Sequence, residues 1–431
     1  MSRPGIAIIG GGYAGIAAAV RLAELGLPSA LFEAGPVLGG RARRIQYRDV
    51  TLDNGQHILS GAYSSLLGQM HRVGVAPDAL RRIPLGLEIP PAFSLRAPKL
   101  PAPLHLAWAL LTAKGLDWAA RRAAIRFVQA LKTTRFQVDA TWTVDQLVAF
   151  HRQPETVVEW LWGPLTVSAL NTPTSLASAQ IFANVLRDAL ASSREASDLL
   201  LPMTDLSALF PEPAAAWLAR QGCEIHTSAR ITRLQPGAAG MSVIRDGAEE
   251  SFSRAIVAVG PQQIDTLGCA GLASPAFSYQ PIYTVYLQYP CDVKLPFAMT
   301  GRTQGLTQWF FDRDRLSATG RARGLVAAVI SAQGGHEELD HTDLAERVHA
   351  ELVALAGPLP APTWRKVIAE KFATFSCTPN LARPATQTSL PHCFLAGDYV
   401  AGDYPATLES AVRSGIDAAD HVASSLSMTN L

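Results

Sequence analysis

The sequence predicts a doubly wound α/β protein in which the two ends of the chain meet in one domain around an inserted α+β region. Three observations carry this. A strand, a glycine turn, a helix and a second strand follow one another within residues 5–33. Pro84, Pro90, Pro91, Pro98, Pro101 and Pro103 mark a crossover leaving that first unit. A short apolar run that ends in Gly397-Asp398 and leads into a last helix closes the chain.

A length of 431 residues points to two or three domains. The 37 Lys and Arg offset the 36 Asp and Glu to a net +1, so no global charge attracts nucleic acid. Charged residues make up 17%, below the usual share of roughly 25%, which excludes disorder as the main state. With 48% hydrophobic residues and a mean hydropathy of +0.14, the chain can bury a large core and still line an oily cavity. The cysteines Cys223, Cys269, Cys291, Cys377 and Cys393 form no CxxC pair; an odd, sparse set fits free thiols in a reducing, cytoplasmic setting. The apolar stretch 6–20 is broken by Gly10, Gly11, Gly12 and Gly15, so it reads as neither signal peptide nor membrane span. The expectation is a soluble protein, or one that lies on a membrane.

The elements follow in order. Residues 6–9 (Ile-Ala-Ile-Ile) suit a strand buried on both faces. Residues 13–25 are Ala-rich, with Ile16, Ala19, Val20 and Ala23 on one helical face, and Gly26 stands where a helix stops. A second strand spans 29–32 and ends at Glu33. Residues 105–138 are helical and basic, with Lys114, Arg121, Arg122, Arg126, Lys132 and Arg135 against Asp117. Helical signals continue through 143–198. Short strands are expected at 224–226, 231–234, 241–245 and 256–259. A second sheet is expected from 282–289, with Tyr283, Val285, Leu287 and Tyr289 on one face, together with 309–311, 325–331 and 367–375. A helix covers 343–356, a strand 393–396, and the last helix begins at about Ala406, with Pro405 in its first turn.

Gly10-Gly11-Gly12-Tyr13-Ala14-Gly15 matches GxGxxG. Gly10 permits the tight turn, Gly12 lets backbone approach a pyrophosphate, and Gly15 lets the helix pack on the strand. The loop follows a strand, opens a helix, and precedes Glu33 by the spacing of an acid that binds ribose hydroxyls; this is the context of a Rossmann-like dinucleotide site. Gly39-Gly40-Arg41 offers backbone and a fixed cation to a second part of a long dinucleotide. The loop alone does not separate NAD from FAD. The tail does so: Gly397 admits close backbone, Asp398 accepts from a sugar-chain hydroxyl, and the N-terminus of the following helix would face the pyrimidine end of a flavin. The polar turn Asp53-Asn54-Gly55-Gln56-His57 would lie against the flavin ring. A turn cap and a core histidine are the plain alternatives for Asp53 and His57.

These residues carry a resemblance. Residues 7–15, Gly39-Gly40-Arg41-Ala42, the 52–59 segment, Ala169-Leu170-Asn171-Thr172-Pro173, Asp205-Leu206-Ser207-Ala208-Leu209-Phe210-Pro211 and the 396–415 tail resemble the flavin amine oxidase and phytoene desaturase superfamily. Within it the chain is similar to the squalene-associated FAD-dependent desaturase branch, the hydroxysqualene dehydroxylases. The resemblance implies a GR2-type flavoprotein fold: a FAD-binding domain from 1–85, 212–270 and 380–431, and a substrate domain from 86–211 and 271–379. It implies non-covalent FAD held by Gly10, Gly12, Ala14, Gly15, Glu33, Gly40, Arg41, Gln56, Ile231, Gly397, Asp398, Ala406 and Thr407. It implies hydroxysqualene, a long-chain isoprenoid, as substrate and squalene as product, as in hopanoid biosynthesis, with the electron donor unidentified.

Departure of an allylic hydroxyl calls for a proton donor, and His57 and Tyr404 are the candidates in the flavin-proximal motifs. Trp108, Leu111, Phe127, Leu131, Trp160, Trp162, Leu165, Phe182, Tyr283, Tyr286, Trp309 and Phe310 are available to line a tunnel, with core packing as the alternative. The basic stretch 105–135 could lie on an anionic membrane on its cytoplasmic face, with a solvated surface as the alternative. HExxH and GxSxG are absent, so no metal and no serine hydrolase is expected. Two competing readings remain: an isoprenoid desaturase or amine oxidase of the same fold, and a non-catalytic lipid carrier on this scaffold.

Overall fold

Ile6–Ile9 forms the centre of a five-stranded parallel sheet in the computed structural model, which describes residues 5–191, 193–293, 295–317 and 322–429. The sheet order is Glu224–His226, Ser29–Phe32, Ile6–Ile9, Arg254–Val257, Cys393–Leu395. Every residue of Ile6–Ile9 is buried, as an unbroken apolar run in a two-sided sheet requires. Ser29–Phe32 lies on one side of this strand and Arg254–Val257 on the other, so a crevice opens where Ile9 ends.

The helix Tyr13–Glu24 starts in that crevice. It ends as its glycine requires: Gly26 adopts φ +68°, its N–H donates to the Ala23 carbonyl at 3.1 Å, and the Leu27 N–H donates to the Leu22 carbonyl at 2.9 Å. The helix then packs closely on its own strand and on the last helix, Leu408–Thr429. A methyl group on Gly15 would sit 1.9 Å from the Gly10 carbonyl oxygen, and one on Gly415 would sit 2.1 Å from that of Ala14.

A second, antiparallel sheet runs Met299–Gly301, Trp309–Asp312, Leu325–Ser331, Tyr279–Gln288, Trp364–Phe375. The face carrying Val285 and Leu287 is covered by Leu344, Val348 and Leu352 of the helix His341–Ala356. Alternation therefore turns Thr284 and Tyr286 toward the crevice side. A three-stranded sheet ties the two regions together: Leu199–Pro202 pairs with both Leu59–Ser60 and Leu80–Ile83.

Several expectations shift, among them the strand expected at 256–259, which is Arg254–Val257, and the helix expected at 343–356, which is His341–Ala356. The strand expected at 231–234 is Arg233–Pro236, because the irregular chain before it carries Ala229 to Ile231 into the crevice wall. The basic region is two helices, Leu104–Thr112 and Trp118–Thr133, parted at Gly115 with φ +89°. The last helix begins at Leu408, with Pro405 outside it. Ala406 takes φ +56°, and Thr407 caps the helix: its Oγ1 accepts the Ser410 N–H at 3.0 Å, while its own N–H donates to Ser410 Oγ at 3.1 Å. Residues 1–4 and 430–431 of the expected FAD-binding segments lie outside the described residues. Among the described residues no helix is long and apolar enough to cross a membrane.

Gly15→Ala tests the closeness of helix and strand. The added methyl has no room against backbone, so the variant is expected to lose about 3 kcal/mol of stability or more, read as a lower urea midpoint or loss of soluble protein.

Candidate active site

The crevice deepens into a cleft of about 630 Å³ whose wall is drawn from both ends of the chain and from the second sheet. At one end Glu33 closes the strand Ser29–Phe32. Its carboxylate accepts the Gly11 and Gly35 N–H groups, both at 2.7 Å, which fixes it beside the glycine loop. Each carboxylate oxygen keeps a lone pair for a further donor such as a ribose hydroxyl. Ala229, Arg230 and Ile231 complete this end.

The glycine loop forms the middle. Gly10 must be glycine for internal reasons: it takes φ +111°, and a Cβ would sit 2.6 Å from the Ala258 carbonyl oxygen. Gly12 has no such reason. Its φ is −75°, open to any residue, and a Cβ would meet only Gly40 Cα at 3.9 Å. The space it leaves open faces the cleft. Gly12 is also the N-cap of Tyr13–Glu24, gives no side-chain cap, and no acid follows in the first turn. The first amides of this helix therefore present uncompensated positive charge, the condition for binding a phosphate group. Gly39 locks the second glycine pair in place by donating its N–H to the Gly11 carbonyl at 2.8 Å.

Arg41 and Asp398, nominated separately from the two ends of the sequence, are partners. The Arg41 guanidinium donates to Asp398 Oδ2 at 2.6 Å and to the Ala373 carbonyl at 2.5 Å. The Asp398 carboxylate holds the guanidinium pKa above its ordinary value, so the cation persists at any working pH. About 40% of the Arg41 side chain stays open, leaving donors for an anionic ligand.

The 53–57 turn rests on a buried polar network. Asp53 is 2% exposed; Oδ1 accepts the Leu206 N–H at 2.8 Å, and Oδ2 lies 3.4 Å from Arg313. Burial pushes its pKa up to about 6 even against the pull of Arg313. Arg313 also donates to Gln56 Oε1 at 2.8 Å, which points Gln56 along the cleft wall. The Tyr286 hydroxyl donates to the Asp53 carbonyl at 3.0 Å. His57 shares Nδ1 with the Gly55 carbonyl at 2.9 Å; a carbonyl only accepts, so Nδ1 carries the proton. Burial lowers the His57 pKa, with Arg41 adding to the effect, so the ring is neutral at pH 7 and Nε2 is an acceptor.

Asn171 closes the wall from the far side. It ends the helix Gly163–Leu170 at φ +46°, donates to Thr374 Oγ1 at 2.9 Å, and accepts the Ala332 N–H at 2.8 Å. It thereby fastens that helix to the strand Trp364–Phe375 and to the residue that follows Leu325–Ser331.

The structure brings Gly10, Gly12, Ala14, Glu33, Gly40, Arg41, Gln56, His57, Ile231, Gly397, Asp398, Ala406 and Thr407 to one cleft wall. Gly15 stands behind it in the helix–strand contact. Tyr404 does not reach it. Its hydroxyl donates to the Asn184 carbonyl at 3.4 Å and accepts from Arg187 at 3.3 Å, while Arg413 lies 5.4 Å over its ring. These partners hold the phenol against the helix Ala179–Ala191.

Of the residues available for a tunnel, Trp162 and Leu165 wall a separate apolar cavity of about 170 Å³. Phe127, Leu131, Phe182, Tyr286 and Phe310 are packed core. Trp309 donates to Ser168 Oγ at 3.0 Å, Tyr283 meets His336 edge-on, and Trp160 packs on Phe93. Trp108 and Leu111 face outward, because the helix Leu104–Thr112 buries its other side. Arg313 and Glu370, which accepts from Asn54 at 3.3 Å, were missed; no local pattern marks either residue. No cluster of metal-binding side chains occurs among the described residues.

An elongated cleft with an acid at one end, an uncapped helix start in the middle and a fixed cation beyond fits a dinucleotide the length of FAD. The fold and the site define a flavin-dependent oxidoreductase. The chain belongs to the flavin-containing amine oxidoreductase family, whose profile matches residues 13–423, and its cofactor is FAD. It is 28% identical to the hydroxysqualene dehydroxylase of Rhodopseudomonas palustris and 29% identical to that of Sinorhizobium fredii. Each alignment covers 96% of this chain and 97% of the relative. Among solved structures it is similar to an oxidoreductase from Methanosarcina mazei (TM-score 0.76, 12% identity, 96% and 99% of the two chains). It is also similar to wild-type putrescine oxidase bound to putrescine (TM-score 0.71, 16% identity, 98% and 99%). At these identities the solved structures share the fold.

Gly12→Ala separates ligand from fold. Its methyl meets nothing closer than 3.9 Å in the protein, so the thermal midpoint of the FAD-free protein is expected to stay unchanged. FAD affinity, measured by fluorescence quenching on titration, is expected to fall about tenfold or more, since the methyl stands where a phosphate approaches.

Proposed function

We infer that this chain is a hydroxysqualene dehydroxylase: it replaces the allylic hydroxyl of hydroxysqualene by hydrogen, giving squalene and water. The observation that carries this reading is the end-to-end similarity to dehydroxylases of that name, which spans 96% of the chain. The 52–59 and 205–211 segments that carry the sequence resemblance touch in the structure, where the Asp53 carboxylate accepts the Leu206 N–H at 2.8 Å. Reduced FAD supplies the hydride when bound. The protein's part is to grip the cofactor with Gly12, Glu33, Arg41 and Asp398, to keep the reacting end dry, and to handle the proton that leaves with the hydroxyl.

His57 is the group in the cleft wall that suits the proton transfer. Its Nδ1 is committed to the Gly55 carbonyl, which aims Nε2 as the exchanging atom. Its lowered pKa makes the donating, charged form scarce at pH 7 and more abundant only as the pH falls below the ordinary imidazole range. The single-turnover rate is therefore expected to rise toward acid pH in the wild type and to be flat, and at least tenfold lower, in His57→Gln. A steep acid rise retained by the variant would remove His57 from this role.

The direction of electron flow is tested anaerobically. Dithionite-reduced protein mixed with hydroxysqualene is expected to yield squalene and the oxidised flavin spectrum. Reduction of the oxidised protein by squalene or by amines, with no reaction of the reduced protein, would overturn the assignment in favour of an oxidative enzyme. A protein that takes up no FAD would favour the lipid carrier.

A further inference from the structure

The helices Leu104–Thr112 and Trp118–Thr133 carry apolar side chains on both sides. Leu104, Trp108 and Leu111 recur at the i, i+4, i+7 spacing of one helical face, yet that face looks outward: the three are 58%, 54% and 36% exposed. Trp118, at the start of the next helix, is 63% exposed, and the Arg121 guanidinium lies 5.2 Å over its ring. Large apolar side chains scattered singly on a surface are ordinary; a contiguous run of them marks a contact surface. The inward sides are apolar too. Leu106 and Leu110 of the first helix and Ile125 and Val128 of the second wall the cavity of about 170 Å³, with Leu165 beyond them. Leu165 belongs to the helix Gly163–Leu170, whose next turn presents Ser168 to the cofactor cleft.

The surroundings are cationic. Arg122 and Arg126 continue the exposed face of Trp118 at i+4 and i+8, and Lys114 lies in the connection between the helices; all three are exposed. Over 105–138 six basic residues stand against one acid. Two copies of such a patch would repel one another. Aromatic side chains with one polar edge, ringed by cations, suit the headgroup layer of an anionic bilayer.

We propose that these two helices form a docking face that seats the protein on an anionic lipid bilayer, with Leu104, Trp108, Leu111 and Trp118 inserted and the cavity behind them as the first receptacle for a lipid chain. Docking rests on this surface alone; only the use of the cavity rests on the isoprenoid substrate proposed above.

The test uses the FAD-loaded full chain and co-sedimentation with vesicles of phosphatidylcholine, with and without phosphatidylglycerol. The wild type is expected to sediment with the anionic vesicles. Trp108→Ser/Trp118→Ser is expected to bind at least tenfold more weakly, with flavin absorbance and thermal midpoint unchanged, and Leu104→Gln serves as an independent variant should that pair misfold. Arg122→Gln/Arg126→Gln is expected to lose about 25-fold on anionic vesicles, at about fivefold per cation, and nothing on neutral ones. Wild-type protein that stays in the supernatant, or apolar variants that sediment like wild type, would overturn the proposal. So would a change of oligomeric state in the variants without any change in vesicle binding, which would assign the face to a second copy. Because sedimentation reads no chemistry, docking stands or falls separately from the dehydroxylation.

Discussion

One guanidinium gathers the walls of the cleft. Arg41 follows the second glycine pair near the start of the chain, and it grips Asp398 near the end and the Ala373 carbonyl on the edge strand Trp364–Phe375. Three segments that share no local sequence are thus fixed to a single planar group. Its fork-like donors suit this use, since a guanidinium holds five N–H groups in one fixed plane where a lysine ammonium is a compact point charge with three. The ion pair is partly open to solvent, so its effect is geometric before it is energetic.

Around that point the site is assembled from backbone and from buried polar contacts. The backbone side is the glycine loop, where close packing at Gly10 and Gly15 fixes the helix start while Gly12 leaves room beside it. The polar side is the chain Asp53, Arg313, Gln56, together with Asn171 bridging to Thr374 and Ala332. A buried carboxylate this far from water would cost too much alone; Arg313, the Leu206 amide and the Arg44 charge nearby offset that cost. The result is a turn, 53–57, whose side chains have little freedom where they line the cleft.

Much of this was legible in the sequence where the signal is local. The glycine loop, Glu33 and the Gly397-Asp398 pair are short patterns, and Gly10, Gly12, Glu33, Gly397 and Asp398 all line the cleft. The alternation of Tyr283, Val285, Leu287 and Tyr289 gave the covered face of the second sheet. Signals that depend on distant partners were not legible. Arg313 meets Asp53 across 260 positions, and neither neighbourhood hints at the other. Tyr404 sits in a family motif, but Asn184, Arg187 and Arg413 turn it away from the cleft. Trp108 and Leu111 are apolar at helical spacing, which marks a face without saying whether that face meets protein or its surroundings.

The edge strand Cys393–Leu395 has a consequence for biosynthesis. It is the last strand of the parallel sheet, it docks on Arg254–Val257, and Asp398 and the capped start of the final helix hang from it. Until that strand is released from the ribosome, Arg41 has no carboxylate partner and the cleft lacks one wall. A chain lacking this strand would keep the glycine loop, Glu33 and Arg41 but lose Gly397, Asp398, Ala406 and Thr407 from the cleft wall, and with them part of what encloses a flavin.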